Sequence, residues 1–357
     1  MSKLTSTTRF GLLLIAFFMY CLSLSAQVNS LPGLGTNDDP YRISTVAELK
    51  WMRDKVNSDV VNYGNKTYKL MANLDFSAEG DWVPIAGGST TSWDPFKGNF
   101  DGNGKIIMNI RIGTSSIPAQ IVKAGFFGAL EGSVKNLGIE WSGIYVLNGA
   151  AGGIAAGNGG IINNCYTTGV LSVTSKNDSK AGGVTASNSG TIINCYSKCE
   201  ITSFCNNSIK YFIASYAGGI AGDNRKGTIA NCYSTGAIIA TPYTNPAMAG
   251  GIVGDNFWGI ISNCYSTSDV FSERSGGIAG NNASGLISNC IALNSKISSS
   301  GSGVSRISYI LNYADIGTFV NNYASKTMVV KSPNTIITNF SGVQNGTQPL
   351  RGACCFA

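Results

Sequence analysis

Gly250-Gly251-Ile252-Val253-Gly254-Asp255-Asn256-Phe257-Trp258-Gly259-Ile260-Ile261-Ser262-Asn263-Cys264-Tyr265-Ser266 is one of five segments that line up on a Gly-Gly pair and a cysteine. The others open at Gly152-Gly153, Gly182-Gly183, Gly218-Gly219 and Gly276-Gly277, and each reaches its cysteine 12 or 13 residues after the second glycine. Those cysteines, Cys165, Cys195, Cys232, Cys264 and Cys290, are separated by 30, 37, 32 and 26 residues. The inner half of the unit is fixed and the outer half absorbs insertions, as in a solenoid.

Further columns repeat in every unit. Ile162, Ile192, Ile229, Ile261 and Ile287 stand three residues before the cysteines, and Asn164, Asn194, Asn231, Asn263 and Asn289 immediately before them. A second asparagine column follows each Gly-Gly pair at Asn158, Asn188, Asn224, Asn256 and Asn282. Parallel strands stacked in register about 4.8 Å apart place like over like, so apolar columns and amide ladders satisfy themselves. Glycine fits corners that need positive φ, and asparagine tolerates the same region. About 30 residues per coil give a perimeter near 100 Å, right for two or three strands plus turns. The expected fold is all-β, a right-handed parallel β-helix.

Ahead of the repeats the texture changes. Thr45-Val46-Ala47-Glu48 is a capping box opening a helix, with Val46, Leu49, Met52, Arg53 and Val56 at helical spacing and an end near Asn57. Alternating strands follow at Tyr68–Ala72, Trp82–Ile85 and Phe96–Ile112, the last around a turn at Asp101-Gly102-Asn103-Gly104. The expected organisation is a signal peptide over 1–26, a linker over 27–36, an α+β cap over 37–115, the β-helix over 116–330 and an irregular tail over 331–357. Degenerate coils flank the five clear ones, at Ala124-Gly125-Phe126-Phe127-Gly128 and at Asn321-Asn322-Tyr323.

Glycine supplies 45 of 357 residues and only 12% are charged, which excludes coiled coils and helical bundles. The chain contains no histidine, which removes Ser-His-Asp and Cys-His catalysis and His-ligated metal. Lys3 and Arg9 precede an apolar run from Gly11 to Leu22 and a small-residue site ending at Ala26, the pattern of a secretory signal peptide. The run is too short for a membrane span, which needs about 20 residues. Loss of that segment takes the formal net charge from +6 to +4, too little and too evenly spread for nucleic acid. Secretion or display on the cell surface is the expected location.

The segments Gly219-Ile220-Ala221-Gly222, Gly251-Ile252-Val253-Gly254 and Gly277-Ile278-Ala279-Gly280, each leading into Asn-Cys-Tyr or its relic, resemble the GLUG-motif repeats of bacterial secreted and surface proteins. Phe96-Lys97-Gly98-Asn99-Phe100-Asp101-Gly102-Asn103-Gly104 is similar to the segment preceding such repeats in Bacteroidetes adhesin-like proteins. Ile, Val or Phe replaces the leucine of the motif, and Ala156 and Ala186 replace its final glycine. The resemblance, over roughly residues 37–325, implies an adhesin-like surface role.

Cysteines stacked on parallel strands sit farther apart than the roughly 3.8 Å a disulfide wants between Cβ atoms, so the five-cysteine column is expected to be a ladder of buried thiols. Cys199 and Cys205, beside the variable loop, are the better disulfide candidates. Strand parity then points Ser197, Ser234, Ser266, Leu171, Ile201, Ile238 and Val270 inward and Tyr166, Tyr196, Tyr233 and Tyr265 outward. Four stacked exterior tyrosines are the candidate ligand-binding strip, for sugar rings or another protein. Asp223 and Asp255 occupy equivalent Gly-Asp-Asn turns and are expected to be solvated turn residues. Two carboxylates are too few for calcium, and Asp101-Gly102-Asn103-Gly104 lacks the downstream glutamate of a calcium loop. No catalytic residue, metal or cofactor is expected, and the chain is read as a non-enzyme. The function expected is a binding protein presenting a rigid face to a glycan or an extracellular protein. A structural stalk and a polysaccharide-active β-helix enzyme are the alternatives.

Overall fold

The structure is a computed structural model. It describes residues 28–87, 94–206, 214–242, 246–308, 317–333, 335–336 and 347–349. The segment read as a signal peptide, the end of the tail and Cys354-Cys355 lie outside the described residues. Of the described residues 57% are in strands and 6% in helices, and the parallel strands wind a β-solenoid of about 9 turns.

One interior column runs through the whole stack. Tyr41 pairs with Tyr68, Tyr68 with Phe100, Phe100 with Val134, and Val134 with Ile162. It continues through Ile192, Ile229, Ile261 and Ile287 to Phe319. Tyr68, Phe100, Val134 and the five isoleucines are fully buried. Each buried isoleucine contributes about 1.5–3 kcal/mol relative to exposure. The strands Tyr41–Ile43, Thr67–Leu70 and Asn99–Ile112, which lie within the cap expected over 37–115, stack in register as the first rungs of the same solenoid. The helix Val46–Ser58 and the single turn of helix Val60–Tyr63 that follows it stand outside the stack. The capping box of the longer helix is formed, with Thr45 accepting from the Glu48 N–H and Glu48 reaching back, and that helix buries Leu49, Met52 and Val56 in the common core.

The turn expected at Asp101–Gly104 is a corner within one long strand, where Asn103 (φ 53°) and Gly104 (φ 69°) turn the chain while it stays paired to the coil above. The Asp101 carboxylate accepts the Asn103 N–H and the Asn136 amide, so the corner is locked without reversing direction. Tail residues 329–332, 335–336 and 347–349 are strands, the last pairing Thr347 with Asn322, so the irregular tail expected there still adds to the sheet.

The two corner-forming residue types divide the work differently from expectation. Asn164, Asn194, Asn231, Asn263 and Asn289 all adopt φ of 53–56°, so these asparagines make the left-handed corner before each cysteine. The Gly-Gly pairs do not use positive φ. They are required by close approach: a Cβ on Gly250 would drive into the Val253 carbonyl, and one on Gly251 into the Gly277 carbonyl and the Ser266 side chain.

Inward hydroxyls close the accounting of backbone groups at this approach. Thr167 donates to the Gly183 carbonyl at 2.7 Å and Ser234 to the Gly251 carbonyl. The cysteine column is buried and free, each thiol donating to the carbonyl two residues before it. Cys199 is free as well, and the buried Cys205 thiol donates to the Asn177 carbonyl. The two cysteines sit on one extended strand, Tyr196–Cys205, six residues apart, about 20 Å, so no bridge between them can close. Among the described residues no helix is long and apolar enough to cross a membrane.

Candidate functional site

The tyrosine column forms as parity requires. Tyr166, Tyr196, Tyr233 and Tyr265 are register partners on successive coils, with ring centroids 5.0, 4.8 and 4.9 Å apart and interplanar angles of 3–8°. Each central ring has a neighbouring ring on both faces, so the ladder turns ring edges and hydroxyls outward. One end is closed by Gly138, where a Cβ would collide with the Tyr166 ring; at the other Ile291 replaces tyrosine. The Tyr166 hydroxyl donates to Glu140 at 3.3 Å, and burial followed by the Glu140 charge pushes its pKa up to about 12. The Lys198 ammonium lies 5.6 Å from the Tyr196 ring centre.

A second surface lies where two exterior columns meet at a concave corner. One column runs Lys123, Ala150, Lys180, Tyr216, Met248, Arg274. The facing column runs Ala129, Gly157, Ser187, Asp223, Asp255, Asn281 on the six-stranded sheet. In the early coils Ala129, Ala150, Gly157 and Ser187 leave the corner shallowly filled, and a groove of about 570 Å³ opens there, lined also by Lys123 and Lys180. From the Asp223 coil onward the large side chains of Tyr216 and Met248 fill it. The volume falls in the range of small-ligand sites. A Cβ on Gly157 would meet nothing nearer than the Gly128 carbonyl at 3.9 Å, which marks it as open floor.

The closed end of the groove is a buried charge cluster. Asp223 is 0% exposed, and its Oδ2 accepts from Lys180 Nζ and Arg225 Nε, each at 2.8 Å. Its Oδ1 is buried without a hydrogen-bond partner. Asp255, one coil on, accepts from the Asn281 amide at 2.8 Å, and burial followed by the Asp223 charge pushes its carboxyl up. Tyr216 lies under Lys180, its ring centre 5.8 Å from the ammonium, and its phenol is also pushed up by burial and then by Asp255.

The expectation that Asp223 and Asp255 are solvated turn residues is corrected. Both belong to strands, and the adjacent column folds Lys180 and Tyr216 over them. Lys180, Tyr216 and Arg225 were not singled out in the sequence. The available signal was the residue preceding each buried asparagine, which changes from Gly157 and Ser187 to Asp223 and Asp255 along the stack. Among the described residues no group of three or more His, Cys, Asp or Glu side chains is placed to hold a metal ion.

Fold and groove together define a parallel β-solenoid with a ligand-sized concave face. No family model matches the chain, so the resemblance to GLUG repeats has no family match behind it. A solved structure named as a putative immunoglobulin A1 protease from Bacteroides ovatus is 25% identical with a TM-score of 0.57, covering 88% of this chain and 84% of that one. A second, named IgA1 protease, is 18% identical with a TM-score of 0.55; 86% of this chain covers 23% of that one, and the likeness is one of fold. Halomucin of Haloquadratum walsbyi is 34% identical over 110 residues, 30% of this chain and 1% of halomucin. The reading of the chain as a non-enzyme is overturned here, because the structures it resembles carry the names of proteases.

Proposed function

We propose that this chain is a secreted or cell-surface β-solenoid that binds an extended polymer, glycan or polypeptide, in the concave groove beside Lys180, Asp223 and Arg225. The observation that carries it is the groove itself: small residues repeated down two facing columns leave a rigid trough about 14 Å long across four coils, with charged groups at its rim. A trough of that length accepts about four residues of extended polypeptide. A rigid backbone stack supplies preorganisation, so little ordering cost falls on the protein when it binds. The apolar run after Lys3 and Arg9, and likeness to proteins named halomucin and IgA1 protease, support an extracellular setting. In a chain whose structural relatives are named proteases, the groove is where a polypeptide would lie.

The test is binding of the full chain to arrays of glycans and of extended polypeptides, beside Gly157→Leu, which puts a side chain into the trough from a position where a Cβ meets nothing nearer than 3.9 Å. Binding by the wild type that is lost in a Gly157→Leu protein of unchanged melting temperature supports the proposal. Equal binding by both proteins, or no binding to either array, abandons it.

A further inference from the structure

The first two repeats run Asn-x-Gly after the buried asparagine, Asn158-Gly159-Gly160 and Asn188-Ser189-Gly190. The next three insert one residue: Asn224-Arg225-Lys226-Gly227, Asn256-Phe257-Trp258-Gly259 and Asn282-Ala283-Ser284-Gly285. The inserted residues, Lys226, Trp258 and Ser284, all adopt positive φ, 61°, 56° and 53°. Such a corner suits glycine or asparagine, and asparagine is what the same chain uses at its other left-handed corner. A tryptophan there is an outlier, and strain of this kind persists where it serves a function.

Packing does not repay it. Trp258 is 53% exposed, Phe257 beside it 37% and Ile260 42%, so three large apolar residues are displayed together rather than buried. The Phe257 ring meets the indole edge to face, centroids 6.3 Å apart at 80°, and so props it outward. One coil below, exposed Lys226 occupies the same corner position as Trp258, and the Arg225 guanidinium lies 5.8 Å from the Phe257 ring centre. The carboxylate that Arg225 holds, Asp223, is fully buried, so the charge this ridge presents to solvent is positive.

We infer that the Arg225-Lys226-Phe257-Trp258 ridge is a binding site for an acidic glycan. The negative face of the indole receives the C–H face of a pyranose ring, and Lys226 and Arg225 pair with its carboxylate or sulfate. The site uses none of the floor of the concave groove, so each can fail without the other. It shares only Arg225 with the groove rim.

The experiment measures binding of the full chain to polygalacturonate, dextran sulfate, neutral dextran and polyglutamate, with Trp258→Asn and Lys226→Ala as variants. Expected is binding of polygalacturonate, dextran sulfate or both, weakening as salt is raised, with neither dextran nor polyglutamate retained. Which of the two acidic polymers binds identifies carboxylate or sulfate as the group recognised. Trp258→Asn should weaken binding at least tenfold while its melting temperature stays at or above that of the wild type, and Lys226→Ala should flatten the salt dependence. Four results would each overturn the inference: no acidic glycan bound, polyglutamate bound equally well, Trp258→Asn binding like wild type, or Trp258→Asn melting lower. The last would mean that the indole is held for packing.

Discussion

Asn224 and Asn231 stand seven residues apart in one coil, both in amide ladders, yet their replacement should have very different consequences. Asn224 is fully buried. Its amide donates to Asn256 Oδ1 at 2.8 Å and to the Gly227 carbonyl at 3.0 Å, and its own Oδ1 accepts from Asn188 at 2.8 Å. In Asn224→Ala the Asn256 oxygen loses the side-chain donor it has in the interior, which costs about 1–3 kcal/mol. Asn188 and Gly227 each keep another partner, through Gly190 and the Ile260 N–H, and lose about 1 kcal/mol apiece. The expected destabilisation is about 3–5 kcal/mol. Asn231 donates to Asn194 at 3.2 Å in the open, where water replaces the bond, and is kept for its φ of 54°. Asn231→Gly should therefore change stability by no more than about 0.5 kcal/mol, and Asn231→Ala should cost about 1 kcal/mol for the left-handed backbone. Urea unfolding of the three variants, followed by circular dichroism, reads the difference directly. Equal midpoints for Asn224→Ala and Asn231→Gly would refute the assignment of one ladder to the interior and the other to a corner.

Ile229→Ala should cost about 2–5 kcal/mol by the same assay, because a fully buried column residue leaves a cavity between Ile192 and Ile261; a loss below 1 kcal/mol would argue against a close-packed stack. Alkylation of the native protein should spare Cys199, Cys205 and the five ladder thiols, and denaturant without reductant should expose all seven; a Cys199 or Cys205 that stays blocked would reveal a bridge. The Tyr166 phenol titrates near 10 when unfolded and near 12 when folded, so the folded state keeps a proton that the unfolded state releases. Its share of stability is complete below pH 10 and is lost as pH rises toward 12. Tyr166→Phe should remove that slope and Glu140→Gln should reduce it; identical stability profiles for wild type and Tyr166→Phe would contradict the assignment.

What the sequence disclosed follows from what repetition can encode. Cys165 to Cys290, Ile162 to Ile287 and the tyrosine column were visible because each coil restates the same residue at the same offset, and in-register stacking translates offset into contact. The early rungs were hidden because Tyr68, Phe100 and Val134 fill the isoleucine column with different residues of similar use, leaving no identity to align. The groove was hidden for a different reason. Concavity depends on which neighbouring column is small, and Gly157 reads as one more turn glycine until Ala150 and Lys180 are seen to face it. Asp223 was misjudged because Gly-Asp-Asn has the composition of a turn, while burial came from Tyr216 and Lys180 on another strand. Trp258 had a signal, the change from 12 to 13 residues between the second glycine and the cysteine, but only its backbone angle gives that extra residue meaning.

The stacking itself is tested most directly by nuclear Overhauser contacts among isoleucine methyls in selectively labelled protein. Ile192 should show contacts to both Ile162 and Ile229, one coil to either side, with no direct contact between Ile162 and Ile229. Contacts from Ile192 to only one of them, or to neither, would contradict a single spiral of coils in register.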